Sequence, residues 1–280
     1  MGPAPEPALS VCMGSHFRAR AMKEISSKAN KNYKLCQQLA SKKYRDRYGM
    51  YLIEGGNLIE EAARFGAEIA AVFLRPDFDA SRFAGAPEPF VLDAKLYDGI
   101  AQTETSQGAI AVVRKRSYGE REFFSLCGDR NVLVLDRLQD PGNVGTMIRT
   151  ADAAGYGGAV VMKGTGDIYS PKAARAAAGS LFRLPVLLAD SANDALKLLK
   201  ANGKRAVATC FDTPTCYFDA DLTQGVALLI GNEGSGLCRE FVDGADIKVK
   251  IPMARGVDSL NAAVAAGVLM YEGRRHLRER

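Results

Sequence analysis

The sequence lacks the features of a membrane-spanning protein and of a metal-binding protein. Its apolar stretches are all shorter than the roughly 20 residues needed to cross a bilayer. One of the longest, Val257–Tyr271, is also interrupted by Asp258, Ser259 and Asn261. The chain has only two histidines, and none of its six cysteines belongs to a C-x-x-C pair. We therefore expect neither a membrane span nor a metal site.

Missing motifs narrow the possible functions further. The sequence contains no G-x-G-x-x-G after a first strand and no G-x-x-x-x-G-K-[ST], which excludes a Rossmann oxidoreductase and a P-loop enzyme. The first residues also lack the charged start and long apolar stretch of a signal peptide. Because a chain of this size can bury a core without disulfides, we expect reduced thiols and a cytoplasmic location.

The composition predicts a folded chain with two domains. Hydrophobic residues make up 47% of the 280 residues and charged residues 25%, which is typical of globular proteins. The pattern predicts a flexible leader (1–22), an N-terminal αβ domain (23–113), a polar linker (114–122) and a C-terminal αβ domain (123–280). We take the leader to lie outside the folded part.

The C-terminal domain is predicted to be an α/β fold with a parallel sheet. Continuous apolar strands such as Asn131–Asp136 and Val226–Ile230 alternate with helical segments, which indicates a sheet covered by helices on both faces. A long final helix is predicted over Val257–His276. Ligands of such sheets bind at the carboxyl ends of the strands, so the loops that follow strands are the candidates for a site.

A basic segment lies near the start of the chain. Ten Lys and Arg residues occur between Arg18 and Tyr48, where only two residues are acidic. Three tyrosines of this segment, Tyr33, Tyr44 and Tyr48, could add stacking surfaces to phosphate contacts, which favours nucleic-acid binding. A solvated helix face is the alternative explanation. The side chains expected to hold RNA phosphates are Lys28, Lys31, Lys34, Lys42, Lys43, Arg45 and Arg47.

Two loops after predicted strands combine glycine with functional polar residues. In the loop over residues 136–149, Asn143 stands at the mouth of a helix and Arg149 interrupts its apolar pattern, an arrangement suited to an anion. The loop over residues 229–237 has three glycines, which let the backbone approach a ligand closely. Glu233 in this loop would repel a phosphate, so a neutral or cationic ligand is favoured.

A third loop, over residues 251–263, leads into the final helix. Its simplest interpretation is a strand, a turn and a helix with Asp258 or Ser259 as the N-cap. Asn261 is unexpected in the Ala- and Val-rich stretch that follows, because a buried amide must find hydrogen-bond partners. The third loop is therefore also a candidate for a polar site.

Taken together, the three loops read N-x-G-x-x-x-R, G-N-E-G-x-G-L and I-P-M-x-x-x-x-x-S-L-N. This series resembles the three motifs of the SpoU/TrmH family of RNA ribose 2′-O-methyltransferases in the SPOUT superfamily, with order and spacing intact from Asn131 to about His276. Residues Lys23–Val113 are similar to the family's auxiliary substrate-binding domain, which resembles small ribosomal RNA-binding αβ proteins, and Tyr51–Gly55 is the matching stretch. The resemblance implies a deep trefoil knot, in which the last helix threads a loop, and a homodimer formed through the C-terminal domain.

The resemblance also implies a cofactor, S-adenosylmethionine, held against the second and third loops. Glycines would supply closely approaching backbone, and apolar side chains would surround the adenine and methionine moieties. The residues assigned to the cofactor in this way are Thr209, Gly231, Gly234, Ile251, Met253 and Leu260.

For catalysis, the family places the arginine of its first motif, here Arg149, next to the ribose 2′-hydroxyl and assigns it as a base. Because guanidinium groups stay protonated at neutral pH, the alternative is that Arg149 holds an RNA phosphate and stabilises developing alkoxide charge. Asn143, Glu233, Ser259 and Asn261 would complete the polar shell. The auxiliary domain favours ribosomal RNA as substrate. The alternatives are the same chemistry on transfer RNA, or a non-catalytic RNA-binding scaffold.

Overall fold

The computed structural model describes residues 23–79, 83, 86–103 and 106–275. The predicted leader and His276 lie outside these residues. No helix within the described ranges is long and apolar enough to cross a membrane. The same ranges hold no group of His, Cys, Asp and Glu side chains that could bind a metal ion, and their cysteines are free thiols.

The N-terminal domain is built on a mixed sheet. Its strands are β1 (Lys23–Ile25), β2 (Met50–Glu54), β3 (Ile69–Leu74), β4 (Phe90–Leu92) and β5 (Ala109–Arg114), and its helices are α1 (Lys31–Gln38), α2 (Lys42–Tyr48), α3 (Gly56–Arg64) and α4 (Ala94–Asp98). The strand order is β1-β4-β3-β5-β2, with β5 antiparallel to both of its neighbours. Strand β5 is buried on both faces, which fits its unbroken apolar sequence.

The C-terminal domain is the predicted α/β fold with a six-stranded, all-parallel sheet. Its strands are β6 (Val132–Leu135), β7 (Gly158–Met162), β8 (Val186–Ala189), β9 (Arg205–Thr209), β10 (Val226–Ile230) and β11 (Ile247–Val249). Its helices are α5 (Glu120–Cys127), α6 (Pro141–Ala153), α7 (Pro171–Ala177), α8 (Ala192–Ala201), α9 (Arg239–Gly244) and α10 (Ala262–Glu272). The helices cover both faces, with α6 and α10 over one and α5, α8 and α9 over the other.

The strand order of this sheet positions the functional loops. The order is β11-β9-β10-β6-β7-β8, so the chain moves outward from β6 through β7 to β8 and then crosses to β9 on the other side. Strand β10 fills the place between β9 and β6, and β11 is added beyond β9. Strands β6 and β10 are therefore neighbours at the point where the winding reverses. In open parallel sheets, ligand sites form at this point, outside the carboxyl ends of the strands.

The predicted linker is shorter than its sequence indicates. Strand β5 runs to Arg114 and helix α5 begins at Glu120, so only residues 115–119 are irregular. The two domains also share a hydrophobic core. Ala174 and Phe182 of the C-terminal domain pack into the same buried cluster as Ile53 and Ile59 of the N-terminal domain.

The final helix starts later than predicted. Helix α10 begins at Ala262 instead of Val257, because Asn261 and neither Asp258 nor Ser259 is its N-cap. The Oδ1 atom of Asn261 accepts hydrogen bonds from the backbone N–H groups of the second and third residues after it. The residues before the cap form an irregular segment at the carboxyl edge of the sheet. The threading of the last helix through a loop stays a prediction.

Candidate active site

Asp136, the first residue after β6, links the loops at the point where the winding of the sheet reverses. Asp136 is only 3% exposed. One oxygen of its carboxylate accepts a hydrogen bond from the backbone N–H of Cys238 (2.7 Å), and the other accepts one from Nε of Arg137 (2.9 Å). The hydrogen bond to Asp136 raises the pKa of the Arg137 guanidinium. The two residues thereby tie the loop after β6 to the loop after β10.

The glycine-rich loop after β10 is folded back on itself by Asn232. The Oδ1 atom of Asn232 accepts hydrogen bonds from the N–H groups of Gly234 (3.0 Å) and Ser235 (2.9 Å). A Cβ atom on Gly231 would overlap the backbone of Leu237, so only glycine is compatible with this turn. The close backbone approach expected at Gly231 is therefore made by another part of the same loop, at Leu237.

Asn143 connects all three motif loops. Its Nδ2 group donates to Oε1 of Glu233 (3.2 Å), and its Oδ1 atom accepts from Nδ2 of Asn261 (3.1 Å). Glu233 also accepts from the backbone N–H of Gln139 (3.2 Å). Burial raises the pKa of the Glu233 carboxyl, but the hydrogen bonds from backbone N–H groups and from Asn143 outweigh it, so the pKa lies below its usual value. Glu233 is thus held as a carboxylate at neutral pH.

A cavity of about 400 Å³ lies between the second and third loops and α10. It brings together all six residues assigned to the cofactor. The described residues that line it include Thr209, Gly231, Gly234, Ile251, Met253 and Leu260. Three of the five predicted catalytic residues, Glu233, Ser259 and Asn261, also line it. Its volume lies in the range of sites that enclose small-molecule ligands.

Arg149 stands apart from this cavity. It lies on α6, is exposed, and forms no side-chain hydrogen bond or ion pair with the residues described by the structure. Its guanidinium therefore forms no hydrogen bond with Asn143. The guanidinium of Arg149 is therefore available to bind a ligand such as an RNA phosphate.

The sequence missed residues that shape the site or line its cavity. Asp136, Arg137 and Asn232 form hydrogen bonds between loops, and Phe211 and Lys250 line the cavity. An acidic residue placed directly after four buried apolar residues was a signal for Asp136. Phe211 carried no sequence signal, although it is 74% exposed and stands at the cavity wall.

The predicted RNA-binding residues divide into two groups. Lys28, Lys31, Lys34, Lys42, Lys43 and Arg47 are exposed. Arg45 is a correction, because it is 4% exposed and its guanidinium is fully used. Its Nη1 atom donates to two backbone carbonyls, and its Nη2 atom pairs with Asp167 of the C-terminal domain at 2.7 Å. Tyr33 is a second correction, since it is a core residue and only Tyr44 and Tyr48 remain near the surface.

Comparison with known proteins finds two family models that match successive parts of the chain. The sequence model of the SpoU rRNA Methylase family matches residues 130–271, and that of the MRM3-like substrate binding domain matches residues 30–111. A curated relative is the 23S rRNA (guanosine(2553)-2′-O)-methyltransferase RlmP of Bacillus subtilis. It is 34% identical over 92% of this chain and 100% of its own length.

Solved structures resemble the whole chain. The AdoMet-bound rRNA methyltransferase from Sinorhizobium meliloti has a TM-score of 0.83 and 32% identity, covering 92% of this chain and 99% of that one. The SpoU methyltransferase AviRb from Streptomyces viridochromogenes, in complex with the cofactor AdoMet, has a TM-score of 0.80 and 29% identity, covering 88% and 97%. The chain belongs to the SpoU family of rRNA methylases. It is an RNA 2′-O-methyltransferase.

Proposed function

We propose that this protein transfers a methyl group from S-adenosylmethionine (AdoMet) to a ribose 2′-hydroxyl of ribosomal RNA, with 23S rRNA as the first substrate to test. The observation that carries the proposal is the single cavity lined by all six residues assigned to the cofactor. The similarity to RlmP over nearly the whole chain supports 23S rRNA in particular.

The chemistry of the cavity suits AdoMet. Its wall contains the apolar side chains of Ile251 and Leu260, and the irregular backbone of the second and third loops supplies N–H and C=O groups for an adenine edge. The carboxylate of Glu233 lines the same space and is compatible with a cationic ligand. When bound, AdoMet supplies an electrophilic methyl group on a sulfonium cation.

The residues around the cavity would then align the hydroxyl that accepts the methyl group. Asn143 holds Glu233 and Asn261 through hydrogen bonds from both ends of its amide, so the polar side of the site is preorganised. Arg149 is the exposed cation on the same helix. We assign it to holding an RNA phosphate and stabilising the developing alkoxide, because a guanidinium is a poor proton acceptor at neutral pH.

We also propose that the exposed basic residues of the N-terminal domain contact RNA phosphates. Lys31 and Lys34 lie on α1, and Lys42, Lys43 and Arg47 lie on α2. The rings of Tyr44 and Tyr48 stack on each other with their centroids 6.1 Å apart. Positive charge beside aromatic surface is the combination that single-stranded RNA binds.

A homodimer formed through the final helix is part of the proposal. Val264 and Tyr271 of α10 are 54% and 51% exposed and, two turns apart, lie on one face of the helix. Light scattering should give a mass twice the 30.1 kDa of one chain. Substituting Val264→Glu should yield monomers, because a charge would be buried at the interface. A monomeric wild-type protein would contradict this part.

The function is tested by incubating the protein with in vitro transcribed 23S rRNA and AdoMet labelled in the methyl group. We expect label at a ribose 2′-oxygen, mapped by resistance to alkaline cleavage. The variant Arg149→Ala should lose methyl transfer while its AdoMet affinity, measured by calorimetry, stays within a few fold. Arg149→Lys should fail as well if bidentate phosphate contact is needed. Near-normal turnover in these variants would rule out the role given to Arg149, and no transfer by the wild type would rule out this substrate.

A further inference from the structure

A second cavity, of about 220 Å³, lies where the two domains meet. The N-terminal domain contributes the end of β2 and Leu58 of α3. The C-terminal domain contributes Pro171, Ala174 and Arg175 of α7. The cavity is therefore formed jointly by the substrate-binding domain and the methylase domain.

The walls of this interdomain cavity are apolar and its rim is polar. Ile53, Leu58 and Ala174 belong to one apolar cluster and, with Pro171, offer a surface for a flat apolar group. Gln107 and Arg175, also among the lining residues, are exposed. Neither side chain forms a hydrogen bond or an ion pair with any residue in the described ranges. An amide and a guanidinium without protein partners are thus available to a ligand.

Hydrogen bonds to Glu54 and a close approach at Gly55 position the polar rim of the cavity. The carboxylate of Glu54 accepts hydrogen bonds from the N–H of Gln102 (2.9 Å) and the hydroxyl of Thr103 (3.0 Å), which fixes one wall. Gln107 extends over Gly55, where a Cβ atom would come within 2.6 Å of its Oε1 atom. Gly55 also has a φ of +108°, a conformation that glycine adopts readily. The cavity therefore needs glycine here both for space beside Gln107 and for the backbone conformation.

The interdomain cavity lies one helix away from the methyl-transfer site. Lys172 of α7 pairs with Asp140 at 2.6 Å, and Asp140 caps α6 by accepting from the N–H of Asn143 at 2.8 Å. Arg175 follows Lys172 by three residues, which is close to one helical turn. A strand of RNA that reaches the first motif can therefore continue along α7 into the cavity.

We propose that the interdomain cavity receives one unpaired nucleobase of the RNA substrate, near the nucleotide that is methylated. Proteins read RNA sequence mainly on splayed bases, which they stack against flat side chains and recognise by hydrogen bonds along the base edge. Here the base lies against Ile53, Leu58 and Pro171, the amide of Gln107 binds its edge, and Arg175 pairs with the adjoining phosphate. This proposal rests on the proposed function, because it takes the ligand to be the methyl-accepting RNA.

The test compares two variants of nearly unchanged shape, Gln107→Met and Arg175→Met, in the methyl-transfer assay on 23S rRNA. We expect the KM for RNA to rise about tenfold in each, since each removes one specific contact, while kcat and AdoMet affinity stay within twofold. The matched control is Lys200→Met, which removes an exposed charge from α8 on the opposite face of the sheet and should leave all three values unchanged.

The outcomes separate this proposal from the proposed function. If the wild type transfers methyl groups and both variants match it, the interdomain cavity does not bind the substrate. A raised KM in Arg175→Met alone would overturn the nucleobase assignment, because a phosphate contact would then be sufficient. As an independent readout, ultraviolet cross-linking of the wild-type complex followed by mass spectrometry should place a nucleotide on the peptide that contains residues 52–58 or on the one that contains Gln107. Cross-links confined to the basic helices would contradict the proposal.

Discussion

Asn232 and Gly231 illustrate how single residues shape this site before any ligand arrives. The amide of Asn232 takes up the N–H groups of its own loop and donates to the carbonyl of Arg137, so its hydrogen-bonding capacity goes to loop geometry. Gly231 permits the tight return that this geometry requires. The arrangement therefore depends on backbone shape as much as on the side chains that line the cavity.

The first residue-scale prediction concerns the cofactor cavity. In Gly231→Ala the added Cβ overlaps the backbone at Leu237, so the loop must shift and AdoMet should bind at least about tenfold more weakly, a cost of about 1.4 kcal/mol. Leu260→Asp places a charge against the apolar wall and should abolish binding. Calorimetry measures both.

The control is Gly119→Ala, where a Cβ atom meets nothing within 4 Å and φ is negative. It should keep wild-type affinity. Wild-type affinity in a folded Gly231→Ala or Leu260→Asp protein would show that AdoMet binds elsewhere.

At the scale of elements, the sequence predicted the strands and the parallel sheet of the C-terminal domain but misplaced some helix ends. Apolar runs such as Val226–Ile230 are strongly patterned and are buried as expected. The sequence predicts the first turn of α5 as linker because Glu120, Arg121 and Glu122 are charged and break the apolar pattern. The start of α10 was misplaced because several polar residues precede it, and only the hydrogen bonds in the fold select Asn261 as the cap.

The parts of the site that follow from motif spacing could be predicted from the sequence. The contacts between distant loops could not. All six residues assigned to the cofactor line one cavity, because their loops follow strands that meet at one edge of the sheet. The hydrogen bond that Asp136 accepts from Cys238 joins residues 102 positions apart, and the hydrogen bond between Arg45 and Asp167 joins residues 122 positions apart. Spacing along the chain does not encode such pairs, so the sequence predicts Arg45 to be one more exposed basic residue.

The element-scale prediction concerns this pair. The side chains of Arg45 and Asp167 are 5% and 12% exposed, and the pair joins α2 to the loop before α7. Asp167→Asn leaves a buried guanidinium without its counter-charge, which should lower the free energy of unfolding by about 3 kcal/mol. Urea unfolding measures the loss. For comparison, Lys197→Met breaks a pair whose side chains are 78% and 74% exposed and should leave the free energy of unfolding nearly unchanged, because solvent screens the charges. Equal losses in the two variants would mean that the buried pair adds no stability.

At the scale of the whole molecule, the two domains are joined by more than a linker. The Arg183 guanidinium pairs with Glu61 of α3 and with Asp152 of α6, and lies 4.8 Å from the ring centroid of Phe65. Together with the shared core around Ala174, these contacts stabilise the methylase domain through its packing against the N-terminal domain. Deleting the N-terminal domain would expose that core, so its role in RNA binding is better tested in the full chain.

The last prediction therefore uses the intact protein with its basic surface neutralised. The six exposed cations, Lys28, Lys31, Lys34, Lys42, Lys43 and Arg47, are changed together to glutamine. If they hold phosphates, RNA affinity should fall steeply. The slope of log affinity against log salt should also flatten, by about 0.9 for each lost contact on duplex RNA or about 0.7 on single strands, because fewer counterions are released. AdoMet affinity should be unchanged, since none of the six lines the cofactor cavity. The control, Lys197→Gln with Lys200→Gln on α8, should leave the slope as it is in the wild type. If the six cations only solvate two helices, the neutralised protein will bind RNA with the wild-type affinity and slope, and that result would remove this surface from the RNA-binding site.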